Sequence, residues 1–237
     1  MIVTGSDVTA AISVIIPTLN EAARLPLLLA AIAREKTPHE VIVVDGGSAD
    51  GSLELALNLG ARILRAPGGR GAQLAAGTEA ATGDVLLFLH ADTVFPEGGL
   101  AAIVSALAAS PDCIGGNFRL LFDGADRFSR WLTGFYHWMR RCGLYYGDSG
   151  IFVRHDSYRA AGGIRPIALM EDYDFVRRME RLDPTAYLQN PPLITSSRRF
   201  VGRHAVAIVC GWLVIHALFW LNVSPDRLAR IYKSNRQ

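Results

Sequence analysis

Cysteine is scarce, with three residues in 237: Cys113, Cys142 and Cys210, at spacings of 29 and 68. Such spacings form neither a CxxC pair nor an even disulfide framework, so a reducing compartment is the expected setting. By the same count, any metal must be held mainly by oxygen or histidine. Charge is also sparse, 19% of the chain with a net of +2, too little for a dedicated nucleic-acid binder. Internal repeats and low-complexity linkers are missing. No charged stretch followed by a long apolar run opens the sequence, so no signal peptide is expected there. Half of the residues are hydrophobic, which excludes a disordered chain and supplies a sizeable core.

The few charges are unevenly spread. From residue 198 to 237, Arg198, Arg199, Arg203, Arg227, Arg230, Lys233 and Arg236 face the single acid Asp226, a net of +6, which leaves −4 for the rest. A basic tail on a mildly acidic body predicts an anionic partner for the tail, the lipids of an inner membrane surface or nucleic acid equally.

The first half alternates β-branched apolar runs with segments of helical length. Ile12–Pro17, Val41–Asp45, Ala61–Arg65 and Asp84–His90 are apolar on both faces and predict buried parallel strands. Glu21–Arg34, Ser52–Leu59 and Ala72–Ala81 predict the intervening helices. This β-α-β-α-β-α-β series is a Rossmann-like open α/β sheet, whose ligand site belongs at the carboxyl ends of the strands. Those ends carry Thr18-Leu19-Asn20-Glu21, Asp45 to Ser52, Pro67 to Gly71 and His90-Ala91-Asp92-Thr93. Asn20, Ser48, Asp50 and Thr93 also suit plain turns and helix caps. Asp45 and Asp92 fit that reading less well, because a buried carboxylate is costly without a cation or a hydrogen-bonded ligand. The second half predicts a helix over Ala101–Ala109, a strand over Cys113–Phe122, an aromatic helix over Ala125–Arg141, a short strand over Ile151–Arg154 and a helix opening at Met170-Glu171-Asp172.

Five segments resemble glycosyltransferase family 2, in the family's order and spacing: SVIIPTLNEA (13–22), VIVVDGGSADGS (41–52), GGRGAQLAAGTEAATGDVLLFLHADT (68–93), GDSGIFV (147–153) and MEDYDF (170–175). The HADT and GDSG variants look most like a bacterial subgroup found near radical-SAM and arsenosugar-type genes. The resemblance implies a GT-A fold, an open mixed sheet, over residues 1–200, followed by an extension over 201–237. It implies a nucleotide-sugar donor, UDP-sugar foremost, whose leaving diphosphate is neutralised by Mg2+ or Mn2+. Asp92 takes the metal-binding end of the family's DxD motif, and His90 departs from that motif at its first position. Donor contacts carried over from the resemblance are Pro17, Thr18, Asn20, Glu21, Asp45, Asp50, Arg70, Gln73, His90, Ala91 and Asp92. Arg70, among glycines that let backbone approach, is placed to pair with phosphate.

Inverting transfer also needs a base near the acceptor hydroxyl. The resemblance assigns this to Asp172, with Glu171 beside it, although acids in a first helical turn are also favoured by the macrodipole alone. Asp148, Arg198 and Arg199 are placed at the acceptor or diphosphate loop. The processive QxxRW motif is absent, which implies transfer of a single sugar to a small-molecule or lipid hydroxyl. Gly69-Arg70-Gly71-Ala72-Gln73-Leu74 imitates a dinucleotide fingerprint and keeps an oxidoreductase open, but its sixth position is Leu and it follows the third strand. A non-catalytic membrane-bound scaffold with the same fold is a further alternative.

Ala205–Val223 has 16 apolar residues in 19, with Gly211, His216 and Asn222 as the exceptions. It suits a membrane span, a helix lying in the interface with basic ends on headgroups, or a helix packed on the domain or across a homodimer. The sequence expectation is peripheral attachment to the cytoplasmic face of the cell membrane. Ser224-Pro225-Asp226 then opens a last helix.

Overall fold

The computed structural model describes residues 11–200, 202 and 204–234, apart from the side chains of Arg199, Lys233 and Ser234. Seven strands form one sheet: β1 (Ile12–Thr18), β2 (His39–Asp45), β3 (Arg62–Arg65), β4 (Val85–Phe88), β5 (Gly115–Phe122), β6 (Ile151–Arg154) and β7 (Thr185–Thr195). Their order is β3-β2-β1-β4-β6-β5-β7. The strands β3, β2, β1 and β4 are mutually parallel, and β6 runs antiparallel to β4 and β5. The mixed open sheet expected from the resemblance is therefore present.

Alternation along β1 shows how the sheet makes two cores. Ile12, Val14 and Ile16 enter one buried cluster with Leu25, Leu28 and Ile32 of α1 (Leu25–Ile32) and Leu100, Ile103 and Leu107 of α4 (Gly99–Ala109). Ile15 enters the opposite cluster with Leu74 of α3 (Arg70–Glu79), Tyr158 of α6 (His155–Ala160) and Phe175, Val176 and Met179 of α7 (Glu171–Met179). Helices thus cover both faces, which is why β1 is buried at all seven positions. The helix α2 (Ser52–Asn58) covers the β2–β3 end and buries little beyond Ser52 and Ala56.

Several sequence expectations are corrected here. The strand read as Ala61–Arg65 and buried on both faces is β3, an edge strand with both of its end residues exposed. The first helix is shorter than expected because Glu21 to Arg24 are spent on a turn that joins the β2 loop. The helix α3 begins at Arg70, so this arginine sits on a helix and not in the preceding loop. Two elements were not expected, α6 and β7. The sequence of β7 contains Pro191 and Pro192, and its pairing with β5 slips between Phe118 and Leu120 opposite them, as strand prolines require.

The aromatic helix is α5 (Arg127–Arg141), capped by Asp126, whose side chain accepts from the N–H groups of Phe128 and Ser129. The C-terminal helices are α8 (Ala205–Trp220) and α9 (Pro225–Ser234). α8 ends after 16 residues, about 24 Å at ~1.5 Å per residue, because the chain turns at Leu221 and Asn222, the latter at φ 59°. Among the described residues no helix is long and apolar enough to cross a membrane, which corrects the spanning alternative for Ala205–Val223. Instead Ile208 joins the first core, and Ile215 and Leu228 pack with Met170 and Tyr173.

Candidate active site

Parallel strands bring their carboxyl ends to one edge, and the antiparallel β6 brings its start to the same edge. The sequence-predicted residues therefore converge there. Asp45, 1% exposed at the end of β2, accepts backbone N–H bonds from Gly47 at 2.9 Å and Ser48 at 3.0 Å. Its buried charge is thus satisfied by its own turn. Asn20, at φ 55°, accepts from Ala49 N–H, and Ser48 Oγ accepts from Asn20 N–H, both at 2.9 Å. Asp50 accepts from Ser52 Oγ–H and from the N–H of Ala22, and these bonds hold its carboxyl below the usual range. These bonds of Asn20, Ser48 and Asp50 lock the β1 and β2 loops together.

Gln73 stands behind those loops, buried. Its amide nitrogen donates to Thr18 O and Val44 O, both at 2.8 Å, and so ties β1 to β2. A Cβ on Gly46 would lie 3.0 Å from that amide, which explains the glycine. Pro17 and Thr18 are likewise buried in β1. The nearby exposed groups include Leu19, Asn20 and Asp50, with Glu21 half-buried.

Asp92, one residue beyond buried Ala91, has a half-buried carboxylate 3.4 Å from Arg198 Nη2. The same Arg198 nitrogen donates to Glu21 Oε1, and that bond raises the arginine's pKa. One guanidinium therefore ties the β1 loop to the β4 end. The side chain of Arg199 lies outside the described residues. No group of three or more His, Cys, Asp or Glu side chains gathers to hold a metal among the described residues. A single carboxylate suits a hard cation that takes the rest of its oxygen shell from a diphosphate and water, so Asp92 fits such an ion only together with a ligand.

The centre of the site joins residues 101 apart. Arg70, on the first turn of α3, donates through Nε to Glu171 Oε1, and its Nη2 lies 3.6 Å from Asp172 Oδ2. Its Nη1 is 3.4 Å from His90 Nε2. Asp172 Oδ2 accepts from Gly147 N–H and Oδ1 from Tyr173 N–H, each at 2.8 Å. Burial alone would raise the Asp172 pKa, but Arg70, the Gly147 N–H and His90 outweigh it and hold the carboxyl below its ordinary value. Burial wins at Glu171, whose pKa is raised despite Arg70. Two adjacent carboxyls are thus pushed in opposite directions, a pattern that separates acid and base roles. Met170, immediately before them, sits at φ 68°, a left-handed conformation that costs a bulky residue on the order of 1–3 kcal/mol and clusters at functional sites.

Gly147 brings backbone close to two site side chains. A Cβ there would stand 3.1 Å from both Asp172 Oδ2 and His90 Nε2. Asp148, buried in the same 3-10 turn, accepts from Tyr136 Oη–H at 3.3 Å. Arg70, His90, Asp148, Glu171 and Asp172 all line one end of a cavity of about 550 Å³. Sequence reasoning missed this cavity and the pairing of Arg70 with Glu171. The aromatic stripe of α5 and the apolar run of α8 were the signals for its walls.

The sequence model of glycosyl transferase family 2 matches residues 13–168. Undecaprenyl-phosphate 4-deoxy-4-formamido-L-arabinose transferase of Aeromonas hydrophila is 36% identical over 116 residues, covering 44% of this chain and 36% of that protein. A PGL/p-HBAD biosynthesis glycosyltransferase of Mycobacterium tuberculosis is 44% identical over 102 residues, 40% of each chain. The matched stretches are thus 36–40% of those relatives' lengths. Among solved structures, a mannosyltransferase from Pyrobaculum calidifontis in complex with GDP-Man and Mn2+ superposes with TM-score 0.66 at 18% identity, covering 95% of this chain and 68% of that one. Glucosyl-3-phosphoglycerate synthase from M. tuberculosis, in complex with Mn2+ and UDP-glucose, gives TM-score 0.56 at 22% identity over 79% and 70% of the two chains. These likenesses show a shared fold, and the family match spans β1 to β6, including the Gly-rich opening of α3 that imitated a dinucleotide site. On its sequence and its fold together, the chain belongs to glycosyl transferase family 2.

Proposed function

We propose that this chain transfers a single sugar, with inversion, from a nucleotide-sugar donor to an acceptor hydroxyl. The observation that carries the reading is Asp172, a buried carboxylate kept ionised by Arg70 and a backbone N–H, lining a cavity beside the strand ends that bear Asp92. The acceptor hydroxyl gives its proton to Asp172 as its oxygen bonds to the anomeric carbon. The bond from that carbon to the diphosphate breaks, and the electron pair leaves with the nucleoside diphosphate. Among the described residues, Arg198 and Arg70 are placed to meet the developing phosphate charge. A divalent ion, Mn2+ or Mg2+, would be held by Asp92 and supply Lewis-acid neutralisation of the diphosphate. The β1 and β2 loops, with Asn20, Glu21 and Asp50 toward solvent, would take the nucleoside, and UDP is the base-and-diphosphate combination proposed. Residues 1–200 would form the transferase domain and 201–237 its extension. The His90-Ala91-Asp92-Thr93 and Gly147-Asp148-Ser149-Gly150 variants support placing it in the radical-SAM and arsenosugar-associated subgroup.

The extension also supports attachment to the cytoplasmic face of a membrane. Val206, Leu213, Val214, Trp220 and Leu221 are exposed, and exposed Arg227 and Arg230 follow on α9. Apolar surface next to basic side chains suits an anionic bilayer surface. Flotation with anionic vesicles should recover the chain and lose most of it for Val206→Glu/Val214→Glu. Equal flotation of the two, or self-association without lipid binding, would reject this attachment.

The reaction is tested with a nucleotide-sugar panel read by released nucleoside diphosphate, with Mn2+ or with a chelator. Mn2+-dependent release from one donor is expected, and Asp92→Ala should weaken UDP binding in Mn2+ by about tenfold or more. Unchanged Mn2+ dependence in Asp92→Ala would place the ion elsewhere.

A further inference from the structure

Two side chains of α8, His216 and Trp220, have no part in the chemistry above. His216 interrupts the apolar run Ala205–Val223, and Trp220 follows it one helical turn later on the same face. Both reach residues that flank Asp172. His216 Nδ1 lies 2.7 Å from Trp212 O. A carbonyl only accepts, so Nδ1 carries the hydrogen, and Nε2 of the neutral ring accepts from Tyr146 Oη–H at 2.8 Å. Trp220 Nε1–H donates to Tyr173 Oη at 3.0 Å, and Arg177 of α7 covers the Trp220 ring at 4.9 Å. The rings of Tyr146 and Tyr173 stack with centroids 5.9 Å apart, and the His216 ring stands nearly perpendicular to both.

These two tyrosines adjoin the groups that clamp the carboxylate. Tyr173 lies in the first turn of α7, where an N–H has no partner within the helix, and it donates to Asp172 Oδ1 at 2.8 Å. The N–H of Gly147, the residue after Tyr146, donates to Oδ2 at the same distance. Each carboxylate oxygen is therefore held by a peptide group at, or next to, a tyrosine whose hydroxyl α8 engages. Resting on the transferase reading above, we infer that α8 belongs to the reaction apparatus, with His216 and Trp220 as positioning residues that hold the Asp172 carboxylate through Tyr146 and Tyr173. Position matters because a base contributes its ~10²–10⁴-fold only within hydrogen-bond reach of the proton it takes, and a misplacement of about 1 Å can cost ~10²-fold. The family match ends at residue 168, so the role falls to residues beyond it.

The test uses the full chain with Mn2+ and the donor found active, with glycerol or decan-1-ol offered as acceptor. Tyr146→Phe keeps the stacked ring and removes its hydrogen bond. It should lower kcat about fivefold to tenfold, with donor KM and UDP affinity within about twofold. His216→Leu should lower kcat alike, the double variant should lose no more than either, and His216→Gln, which returns an acceptor, should recover most of the loss. In the Asp172→Asn background Tyr146→Phe should cost less than about twofold, because the group it positions is gone. Hydrogen exchange reads the clamps without turnover. The Gly147 amide should exchange about tenfold faster in Tyr146→Phe, and the Tyr173 amide in Trp220→Phe, with the amides of β1 and β2 unchanged. An unchanged kcat in Tyr146→Phe, an equal loss in the Asp172→Asn background, or faster exchange throughout the sheet overturns the inference and leaves the transferase reading standing. Failure to release nucleotide with any donor and acceptor removes the transferase reading itself, and exchange at the two amides still decides whether α8 holds the Asp172 carboxylate.

Discussion

Arg140 and Arg70 are both held by several side-chain partners, and they do different work. Arg140, on α5, is enclosed: Nε donates to Asn117 Oδ1, Nη2 to Thr185 Oγ1 at 2.8 Å and to Ala186 O at 3.2 Å, and Nη1 lies 3.7 Å from Glu180. Its guanidinium also covers the Tyr145 ring at 4.5 Å. Arg70 meets two carboxyls and a histidine, yet 36% of its side chain stays exposed at a cavity. The enclosed cluster stitches α5 to β5 and β7. The open one leaves carboxylate and guanidinium facing space that a ligand can fill. Burial of charge therefore does not identify a reaction centre, whereas charge held by the fold and still open to a cavity does.

Breaking the enclosed cluster should have the largest effect on folding. Arg140→Met strands Asn117 and Glu180 and should cost about 2–4 kcal/mol, a fall in Tm of roughly 5–15 °C by calorimetry, with the pH profile of the surviving activity unchanged. A shifted profile would mean the two clusters are coupled.

Arg70→Met should cost less stability and alter titration instead. With Arg70 present, Asp172 stays ionised below the ordinary aspartate value of about 3.9, so the acid limb of kcat/KM lies below that value. Without it burial dominates, and the limb should move to higher pH. In stability terms, the lowered Asp172 pKa contributes above its unfolded value and is lost as pH falls through the folded one. The raised Glu171 pKa contributes below its unfolded value and is lost as pH rises through the folded one. An acid limb that stays in place in Arg70→Met would remove Arg70 from control of the base.

Smaller effects follow at supporting positions. Gln73→Leu leaves Thr18 O and Val44 O without their donor and should cost about 1–2 kcal/mol, with UDP affinity falling severalfold as the two loops loosen. Gly147→Ala should change Tm little and lower kcat, because its methyl presses on Asp172 and His90. A loss of stability larger than that of Gln73→Leu would assign Gly147 to folding and not to the site.

Much of this was legible in the sequence where burial was two-sided. The strands β1, β2 and β4 are covered by helices on both faces, so their apolar runs are continuous and their polar ends stand out. The edge strand β3 has a similar apolar pattern without the cover, so its pattern overstates its burial. β7 was hidden by Pro191 and Pro192, which interrupt the pattern that identifies a strand. The loop hydrogen bonds of Asn20 and Asp50 are legible as turn chemistry. Glu171 and Asp172 stand out only through the family resemblance, since acids at a helix start are common. Their pairing with Arg70 depends on α3 and α7 meeting, and no local pattern encodes such a contact.

The central claim is that Asp172 acts as base while contributing little to donor binding. Wild type and Asp172→Asn should be compared in one experiment, with UDP affinity in Mn2+ by calorimetry and acceptor-dependent nucleotide release by rapid quench. The expected result is donor affinity within about twofold and release slowed by roughly 10²–10⁴-fold. Near-normal release by Asp172→Asn, with donor affinity intact, would contradict the account and place the base elsewhere.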